Sequence, residues 1–153
     1  MPTTWHSSPD YTNLAPITQV YGICFDSNGC ICIMRTPGYE WNIPGGTPLI
    51  GEEPVQTLNR EFIEEVNLEL GISEMIGYFQ VIEPDRTFYQ LRYATLLTKI
   101  LPQAPDPATN LINERLFVLP TDFFNYIKIE DYHPLLEQAL IWYKNKINKS
   151  QPC

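Results

Sequence analysis

The sequence has no paired cysteine motif and no apolar run as long as a membrane span. Since a transmembrane helix needs about 20 mostly apolar residues, the sequence predicts no membrane association. The cysteines at 24, 30, 32 and 153 do not form the C-x-x-C pairs of structural zinc sites. We interpret the first three as small apolar strand residues in a reducing compartment. We expect Cys153, near the chain end, to form dimers only as an artefact of air oxidation.

Basic residues are also scarce. Ten Lys and Arg residues stand against 18 Asp and Glu residues, which gives a net charge of −8. Binding along a nucleic-acid backbone requires a basic surface, so this balance argues against a nucleic-acid polymer as partner. A phosphorylated small molecule is still compatible, because a bound metal reverses the local sign of charge. The first 16 residues lack the basic and apolar regions of a signal peptide, which predicts a cytoplasmic protein.

The length of 153 residues suits one domain with one core. With 44% hydrophobic and 18% charged residues, the composition is that of a globular protein. We find no internal repeat and no low-complexity tract. We therefore predict a single domain over residues 1–153, with an N-terminal extension at 1–16 and a Pro-rich loop at 101–110.

Several segments rich in β-branched and aromatic residues predict strands. The first two are separated by Asn28-Gly29, a strong hairpin signal. A turn at 84–86 separates a later pair, in which Gln90 and Arg92 point away from the face that carries Tyr89 and Leu91. The predicted strands are 17–26, 30–35, 40–43, 72–83, 87–99 and 114–119.

Two segments have the period of an amphipathic helix. One covers about 53–67, and the other begins at Pro134 and continues to about 147. A mixed sheet with a helix on each face would bury both apolar stripes, so we predict an α/β fold. The apolar stripe of the first helix consists of Val55, Leu58, Phe62 and Val66.

Three carboxylates of the first helix lie off its apolar stripe. Spacings of three and four residues place Glu61 beside both Glu64 and Glu65. Like charges at these spacings repel, each pair costing roughly 0.2–0.5 kcal/mol, and a cation would reverse that cost. Hard cations such as Mg²⁺ or Mn²⁺ prefer oxygen ligands. The alternative is a solvated acidic face.

The spacing around these carboxylates is more specific than the carboxylates alone. It fits the pattern G-x5-E-x7-R-E-U-x-E-E-x-G-U, where U is a bulky apolar residue, and such a match arises by chance in about one in a million chains. We call residues 46–68 the box. It resembles the signature of the Nudix hydrolases, of the MutT type, and the preceding Trp41-Asn-Ile-Pro-Gly-Gly resembles the usual lead-in. The matching residues are Gly46, Glu52, Arg60, Glu61, Phe62, Glu64, Glu65 and Leu68.

One position departs from the family pattern, because Asn67 stands where the family has glycine. Asn is among the few other residues that readily adopt the left-handed conformation. A helix that ends at this position is therefore compatible with the sequence.

The resemblance implies an α/β/α sandwich with the box as a loop–helix–loop. It also implies that Glu61, Glu64 and Glu65 hold Mg²⁺ or Mn²⁺ together with the Gly45 carbonyl, and that Arg60 orients a box carboxylate. Glu52 would be structural. The general base would be Glu61, Glu64 or the more distant Glu114, for which the alternative is a surface position at a strand edge.

The implied activity is hydrolysis of the diphosphate bond in a nucleoside diphosphate derivative. Family members that act on ADP-ribose often have a proline about sixteen residues after the box, where this chain has Pro84. ADP-sugars are therefore placed first, ahead of ordinary or oxidised (d)NTPs, although Pro84 also suits a hairpin corner. Arg35 and Arg92 are candidates for binding phosphate and Trp41 for stacking on a base; surface charge and core packing are the alternatives.

Two other kinds of protein carry acidic patches of this sort. A Nudix-like domain that binds a nucleotide without hydrolysing it is the main alternative, although such domains lack box carboxylates that are present here. A structural domain with an acidic patch is the other, and it would gain no stability from Mg²⁺. The resemblance also allows a homodimer.

Overall fold

A mixed sheet of seven strands runs through the computed structural model, which describes residues 2–150 but only the backbone of Lys149 and Ser150. Cys153 lies outside the described residues. Along the sheet the order is β1-β5-β6-β2-β3-β7, and β4 pairs with β2 beside this path. The β2–β6 pair is parallel and the others are antiparallel. The strands are β1 (Thr3–His6), β2 (Ile17–Phe25), β3 (Ile31–Arg35), β4 (Gly45–Gly46), β5 (Leu68–Ile82), β6 (Thr87–Ile100) and β7 (Glu114–Val118).

Three α-helices accompany the sheet, and among the described residues none is long and apolar enough to cross a membrane. The helices are α1 (Pro54–Val66), α2 (Phe123–Tyr126) and α3 (His133–Ser150), with single 3₁₀ turns at Pro120–Asp122 and Glu130–Tyr132. The N-terminus of α1 has a capping box, in which Glu53 and Gln56 satisfy each other's backbone N–H groups. Pro54 occupies the first turn of α1, where its missing N–H has no cost.

The sheet carries a separate apolar core on each face. On one face, Leu58 and Phe62 of α1 pack against Val20 and Leu91. On the other, Leu135 and Trp142 of α3 pack with strand residues such as Phe25. Successive side chains of β2 alternate between the two cores, as the pleat of a strand requires. The predicted α/β fold, with helices on both faces, is confirmed.

Three local predictions differ from the structure. Residues 40–43 form only a single bridge between Met34 and Asn42, and the chain pairs with β2 further on, at β4. Strand β5 begins at Leu68 rather than at 72, because its pairing with β6 starts directly after the helix end. The predicted N-terminal extension contributes β1, which covers the edge of β5.

The predicted stripe of α1 is wrong at its first residue. Val55 is 39% exposed, whereas Thr57 is completely buried. The helix begins with Pro54 facing the core, so Val55 turns toward solvent. The other three stripe residues, Leu58, Phe62 and Val66, are completely buried.

The internal cysteines are free thiols, and two of them are buried in the core beside α1. Burial raises the pKa of the Cys32 thiol to about 12, and the pKa of Cys24 is also well above its ordinary value for the same reason. Both groups therefore remain protonated and act as small apolar side chains. Cys30 lies half-buried between the Asn-Gly turn and the first residue of β3, so it is not a strand residue as predicted.

Candidate functional site

The two glycines of β4 let the box loop pack against both β2 and α1. A Cβ atom at Gly45 would lie 2.4 Å from the Val20 carbonyl oxygen and 2.5 Å from the Tyr21 Cα. A Cβ atom at Gly46 would lie 2.4 Å from the Glu61 carboxyl carbon. The neighbours of Gly45 are backbone atoms that cannot move aside, so glycine is required there. A side chain at Gly46 would instead force the Glu61 carboxylate to shift. The loop therefore packs directly against β2 on one side and against the Glu61 carboxylate of α1 on the other.

Arg60 connects the box loop with the helix carboxylates. Its Nε donates to Glu52 Oε2 at 2.8 Å and its Nη2 to Glu52 Oε1 at 3.1 Å, which forms a two-pronged ion pair. Its Nη1 donates both to Glu61 Oε1 at 2.9 Å and to Glu64 Oε2 at 3.2 Å. The planar guanidinium supports such a set because it has five N–H donors in a fixed geometry. Arg60 thus holds two box carboxylates on one side and the loop on the other.

Glu52 has a structural position in this arrangement. Besides Arg60, its Oε1 accepts hydrogen bonds from the Leu49 N–H at 3.0 Å and the Thr57 hydroxyl at 2.7 Å. The Arg60 guanidinium lowers the pKa of Glu52 to about 2, with help from those two donors. Glu52 is therefore ionised throughout the physiological range and serves to fasten the loop to α1.

Glu65 lies deepest of the box carboxylates. Its Oε1 accepts a hydrogen bond of 2.8 Å from the Gly45 N–H. Burial raises the pKa of Glu65 to about 8, and the negative charges of Glu61, Asp106 and Glu64 add to that effect. Burial also raises the pKa of Glu61, against the opposing influence of Arg60. The site therefore crowds several carboxylates into partly buried surroundings with one arginine.

This pKa predicts how the stability of the metal-free protein depends on pH. Because folding raises the pKa of Glu65, the folded state keeps a proton that the unfolded state loses above about 4.5. The contribution of Glu65 to the free energy of unfolding is thus fully present below that pH and is lost as pH rises to about 8. In thermal melts with EDTA, we expect the melting temperature of the wild type to fall more steeply between pH 5.5 and 8.5 than that of Glu65→Gln. Parallel pH profiles of the two proteins would contradict this.

The box carboxylates form a donor set suited to a divalent cation. Across residues 2–150 no three His, Cys, Asp or Glu side chains already converge as a metal site. Arg60 binds Glu61 and Glu64, and the Gly45 N–H binds Glu65, so each carboxylate is directed at a nitrogen donor. The chemistry nevertheless fits, because carboxylate oxygens in excess of the local positive charge are the ligands that Mg²⁺ and Mn²⁺ prefer.

The Pro-rich segment folds onto the C-terminal end of α1. Asn67 adopts the left-handed conformation, with φ 57° and ψ 47°. Its Nδ2 donates to the Ile63 carbonyl at 2.9 Å, and its Oδ1 accepts from the Ala104 N–H at 2.9 Å. The side chains of Asn113 and Arg115 donate to the carbonyls of Glu65 and Val66, at 3.0 and 2.6 Å. The last carbonyls of the helix, which need partners, are thus satisfied by side chains of the following chain.

Sequence reasoning missed Asp106 of this segment. Asp106 is only 6% exposed, and it accepts hydrogen bonds from the Ala108 N–H at 2.9 Å and from Asn113 Nδ2 at 3.4 Å. It lies close enough to the box for its charge to raise the pKa of both Glu61 and Glu65. No periodicity marks an aspartate between two prolines, and the only signal in the sequence was the replacement of the box glycine by Asn67.

Two substitutions separate the backbone role of Asn67 from its side-chain role. Asn67→Gly and Asn67→Ala both remove the side-chain hydrogen bonds to Ile63 and Ala104. Only alanine disfavours the left-handed conformation, which costs about 1 kcal/mol. We expect the free energy of unfolding in urea to decrease in the order wild type, Asn67→Gly, Asn67→Ala. If the alanine variant equalled or exceeded the glycine variant, the left-handed helix end would be ruled out as a source of the difference.

Three of the predicted site residues form a separate group at the β3–β7 pair. Arg35 pairs with Glu114 across the two strands, and its Nη2 lies 3.2 Å from Glu114 Oε1. The Arg35 guanidinium also lies 4.8 Å from the centre of the Trp41 ring. Arg35 lowers the pKa of Glu114, and both side chains are exposed. This arrangement favours the strand-edge interpretation of Glu114, since a carboxylate whose pKa is lowered by an arginine is a weaker proton acceptor.

The third candidate for substrate binding, Arg92, lies on β6 beside a cavity of about 250 Å³. Aromatic side chains form part of the lining, namely Tyr21, Phe79 and Tyr132. Tyr21 pairs with Gly45 in the β2–β4 ladder, and Gly45 binds Glu65. Tyr21 thus lies both in the cavity wall and beside the glycine that binds Glu65.

A model of the NUDIX domain matches residues 16–137 of this sequence. The chain belongs to the NUDIX family. The predicted resemblance is confirmed, and so is the Nudix-like fold. The predicted enzyme class, a Nudix pyrophosphohydrolase, agrees with this assignment. No curated protein sequence matches the chain significantly.

Several solved structures share the Nudix fold of this chain, although their sequence identity to it is low. A pyrophosphohydrolase of Bacillus subtilis has a TM-score of 0.70 at 17% identity, with 92% of each chain covered. A NUDIX hydrolase of Nitrosomonas europaea has a TM-score of 0.63 at 15% identity and covers 90% of this chain and 97% of its own. An Ap4A hydrolase of C. elegans has a TM-score of 0.59 at 14% identity, with coverages of 83% and 98%. At these identities the likeness establishes the fold.

Proposed function

We propose that this Nudix domain is a metal-dependent pyrophosphohydrolase that cleaves the diphosphate bond of a small nucleoside diphosphate derivative. The observation that carries the proposal is the box itself, in which Arg60 and the Gly45 N–H together hold Glu61, Glu64 and Glu65. The similar structures of a pyrophosphohydrolase and an Ap4A hydrolase support the same reaction class.

Mg²⁺ or Mn²⁺ would be held by Glu61, Glu64, Glu65 and the Gly45 carbonyl. When bound, such an ion lowers the pKa of a water ligand and neutralises charge on phosphoryl oxygens. Arg60 orients Glu61 and Glu64, because one of its nitrogens donates to both. Either of these two glutamates can accept the proton of the attacking water, and Glu114 stays a prediction for that role, disfavoured by its ion pair with Arg35.

The cavity beside Arg92 is suited to the part of the substrate that does not react. Its wall meets the box loop at the Tyr21–Gly45 pair, so a molecule with its diphosphate at the box can extend into the cavity. Remote binding of this kind orients the reacting bond. Arg35 and Trp41 stay candidates for contacts outside the cavity, beside the exposed Glu114.

The position of Pro84 gives no reason to rank one candidate substrate above another. Pro84 lies in the turn between β5 and β6, and Glu83 and Arg86 close that turn with backbone hydrogen bonds of 2.8 and 3.4 Å. This position gives Pro84 a sufficient structural role as a turn residue. We therefore favour none of the three substrate classes, namely ADP-sugars, ordinary (d)NTPs and oxidised (d)NTPs, before the test.

Phosphate release from a nucleotide panel tests the proposal. The panel contains ADP-ribose, GDP- and ADP-sugars, diadenosine polyphosphates and (d)NTPs including 8-oxo-dGTP, each with Mg²⁺, Mn²⁺ or EDTA, with phosphatase coupling where the product requires it. We expect turnover of at least one compound with metal and none with EDTA. Nucleotide binding without any turnover would overturn the proposal in favour of a non-catalytic nucleotide-binding domain.

A further inference from the structure

Arg92 is a buried arginine that has no acidic partner in the described part of the chain. Its side chain lies among three rings, with the guanidinium carbon 4.8 Å from the centre of Tyr21, 5.1 Å from that of Phe79 and 5.7 Å from that of Tyr132. The residue is only 2% exposed, and no salt bridge to it occurs within residues 2–150. Buried charges are normally paired, so an unpaired guanidinium at a cavity wall indicates a missing acceptor.

The hydrogen bonds of Arg92 leave part of its donor capacity unused. Nη1 donates to the Leu91 carbonyl at 3.1 Å, and Nη2 reaches Gln19 Oε1 only at 3.4 Å. The buried Nε finds no acceptor among the residues that the structure describes. Since a guanidinium has five N–H groups, Arg92 can donate further to a ligand group with two adjacent acceptors, once Gln19 yields its long bond.

The rest of the lining shows what kind of group this is. Asp131 brings a carboxylate to the same cavity, and Gln19, Asn42 and Gln90 bring amides. A phosphate would meet the repulsion of Asp131 beside a single guanidinium, so this lining does not suit a second phosphate site. A flat, neutral group with acceptors on one edge and donors on another suits both charges and the aromatic walls.

Guanine has this pattern. Its O6 and N7 are adjacent acceptors that an arginine binds with two hydrogen bonds, whereas adenine presents an N6 donor beside N7. Its N1–H and N2–H groups are adjacent donors that suit a carboxylate. Given the proposed function, we propose that Arg92 and Asp131 make the cavity selective for the guanine base, so that the substrate is a guanine nucleotide derivative.

Binding of nucleoside monophosphates tests this inference without any hydrolysis. We expect isothermal titration in EDTA to show GMP binding at least about tenfold more tightly than AMP, because a site built for hydrogen bonds discriminates against analogues that cannot form them. IMP, which lacks the N2 amino group, should bind more weakly than GMP. Equal affinities for GMP and AMP, or binding of none of the three nucleotides at millimolar concentration, would overturn the inference.

Two variants assign the preference to its residues. Arg92→Met keeps a long apolar side chain among the rings and should bring the GMP-to-AMP affinity ratio close to one. Asp131→Ala changes an exposed residue, so it should fold normally and make the affinities for GMP and IMP equal within about twofold. If Arg92→Met fails to fold in thermal melts, Asp131→Ala decides alone. An unchanged GMP preference over IMP in that variant would contradict the assignment.

The inference and the proposed function can fail independently. Glu65→Gln, in which hydrolysis is expected to be lost, should retain the GMP preference because Glu65 is not part of the cavity lining. Selective GMP binding by a protein that hydrolyses none of the panel would leave the inference standing and overturn the proposed reaction. Hydrolysis that favours adenine compounds would support the proposed reaction and overturn the inference of guanine selectivity.

Discussion

Glu65→Gln is expected to lower the turnover number by at least about a hundredfold, because removing a metal-holding carboxylate should cost at least as much as removing a hydrogen-bond partner of a metal ligand, which typically costs about 10- to 100-fold. Glu65 is the most strongly perturbed of the box carboxylates, with a pKa raised to about 8 by burial, and it bonds directly to the Gly45 N–H of the box loop. Glutamine keeps the size of the side chain and an acceptor for that N–H, but it removes the negative charge that would hold a cation. The measurement is steady-state turnover with saturating Mg²⁺.

Two matched variants control for the loss of a carboxylate. Glu137→Gln changes an exposed residue of α3, and we expect its turnover to stay within about twofold of the wild type. Glu114→Gln removes the partner of Arg35, and we expect a change below about threefold if Glu114 has only that role. A loss of about a hundredfold in Glu114→Gln would instead identify Glu114 as the general base. Near-normal turnover in Glu65→Gln would remove Glu65 from the mechanism.

Arg60→Lys is expected to lower turnover by about tenfold or more and to lower the melting temperature as well. The guanidinium contacts Glu52 with two nitrogens while a third contacts both Glu61 and Glu64. A lysine keeps the charge, but its single ammonium cannot reproduce this geometry. The carboxylates should then lose their fixed orientation, and a displacement of about 1 Å in a positioning residue is enough to reduce turnover strongly.

The effect of Arg60→Lys on binding separates orientation from charge. Because the charge remains, the apparent KM should change less than the turnover number. A matched control is Arg86→Lys, which alters an exposed arginine paired with Glu83 in the β5–β6 turn. Equal losses in the two variants would show that the effect of Arg60→Lys does not come from the box.

The contacts among the box residues follow from the sequence because these residues interact over short distances along one helix. Spacings of three and four residues place Glu61 beside Glu64 and Glu65 in any α-helix, and the same spacings bring Arg60 within reach of Glu64. The partnership of Arg60 with Glu52 also agrees with the pattern, since both lie within the box and the loop between them is short.

Residues far apart in sequence were predicted less well. The position of Glu114 after the Pro-rich loop predicts a base, but the pairing of β3 with β7 brings Glu114 to Arg35. No feature of the sequence predicts the place of Asp106, which lies near the box because Asn67 and Asn113 bind this part of the chain to the helix end. Val55 was assigned to the buried stripe because a spacing pattern does not fix the rotation of the helix about its axis.

The sequence alone determined the family, the mixed sheet with two covering helices and the carboxylates of the box. These features depend on local periodicity and on a motif of fixed spacing, both of which the chain carries in order. Only the tertiary structure decided which distant residues join them. These are the loop aspartate at the helix end, the ion pair at Glu114, and Arg92, which lies at a cavity wall with no salt bridge to any described residue. Strand pairing and loop packing set these contacts, because they bring together residues that no spacing along the chain relates.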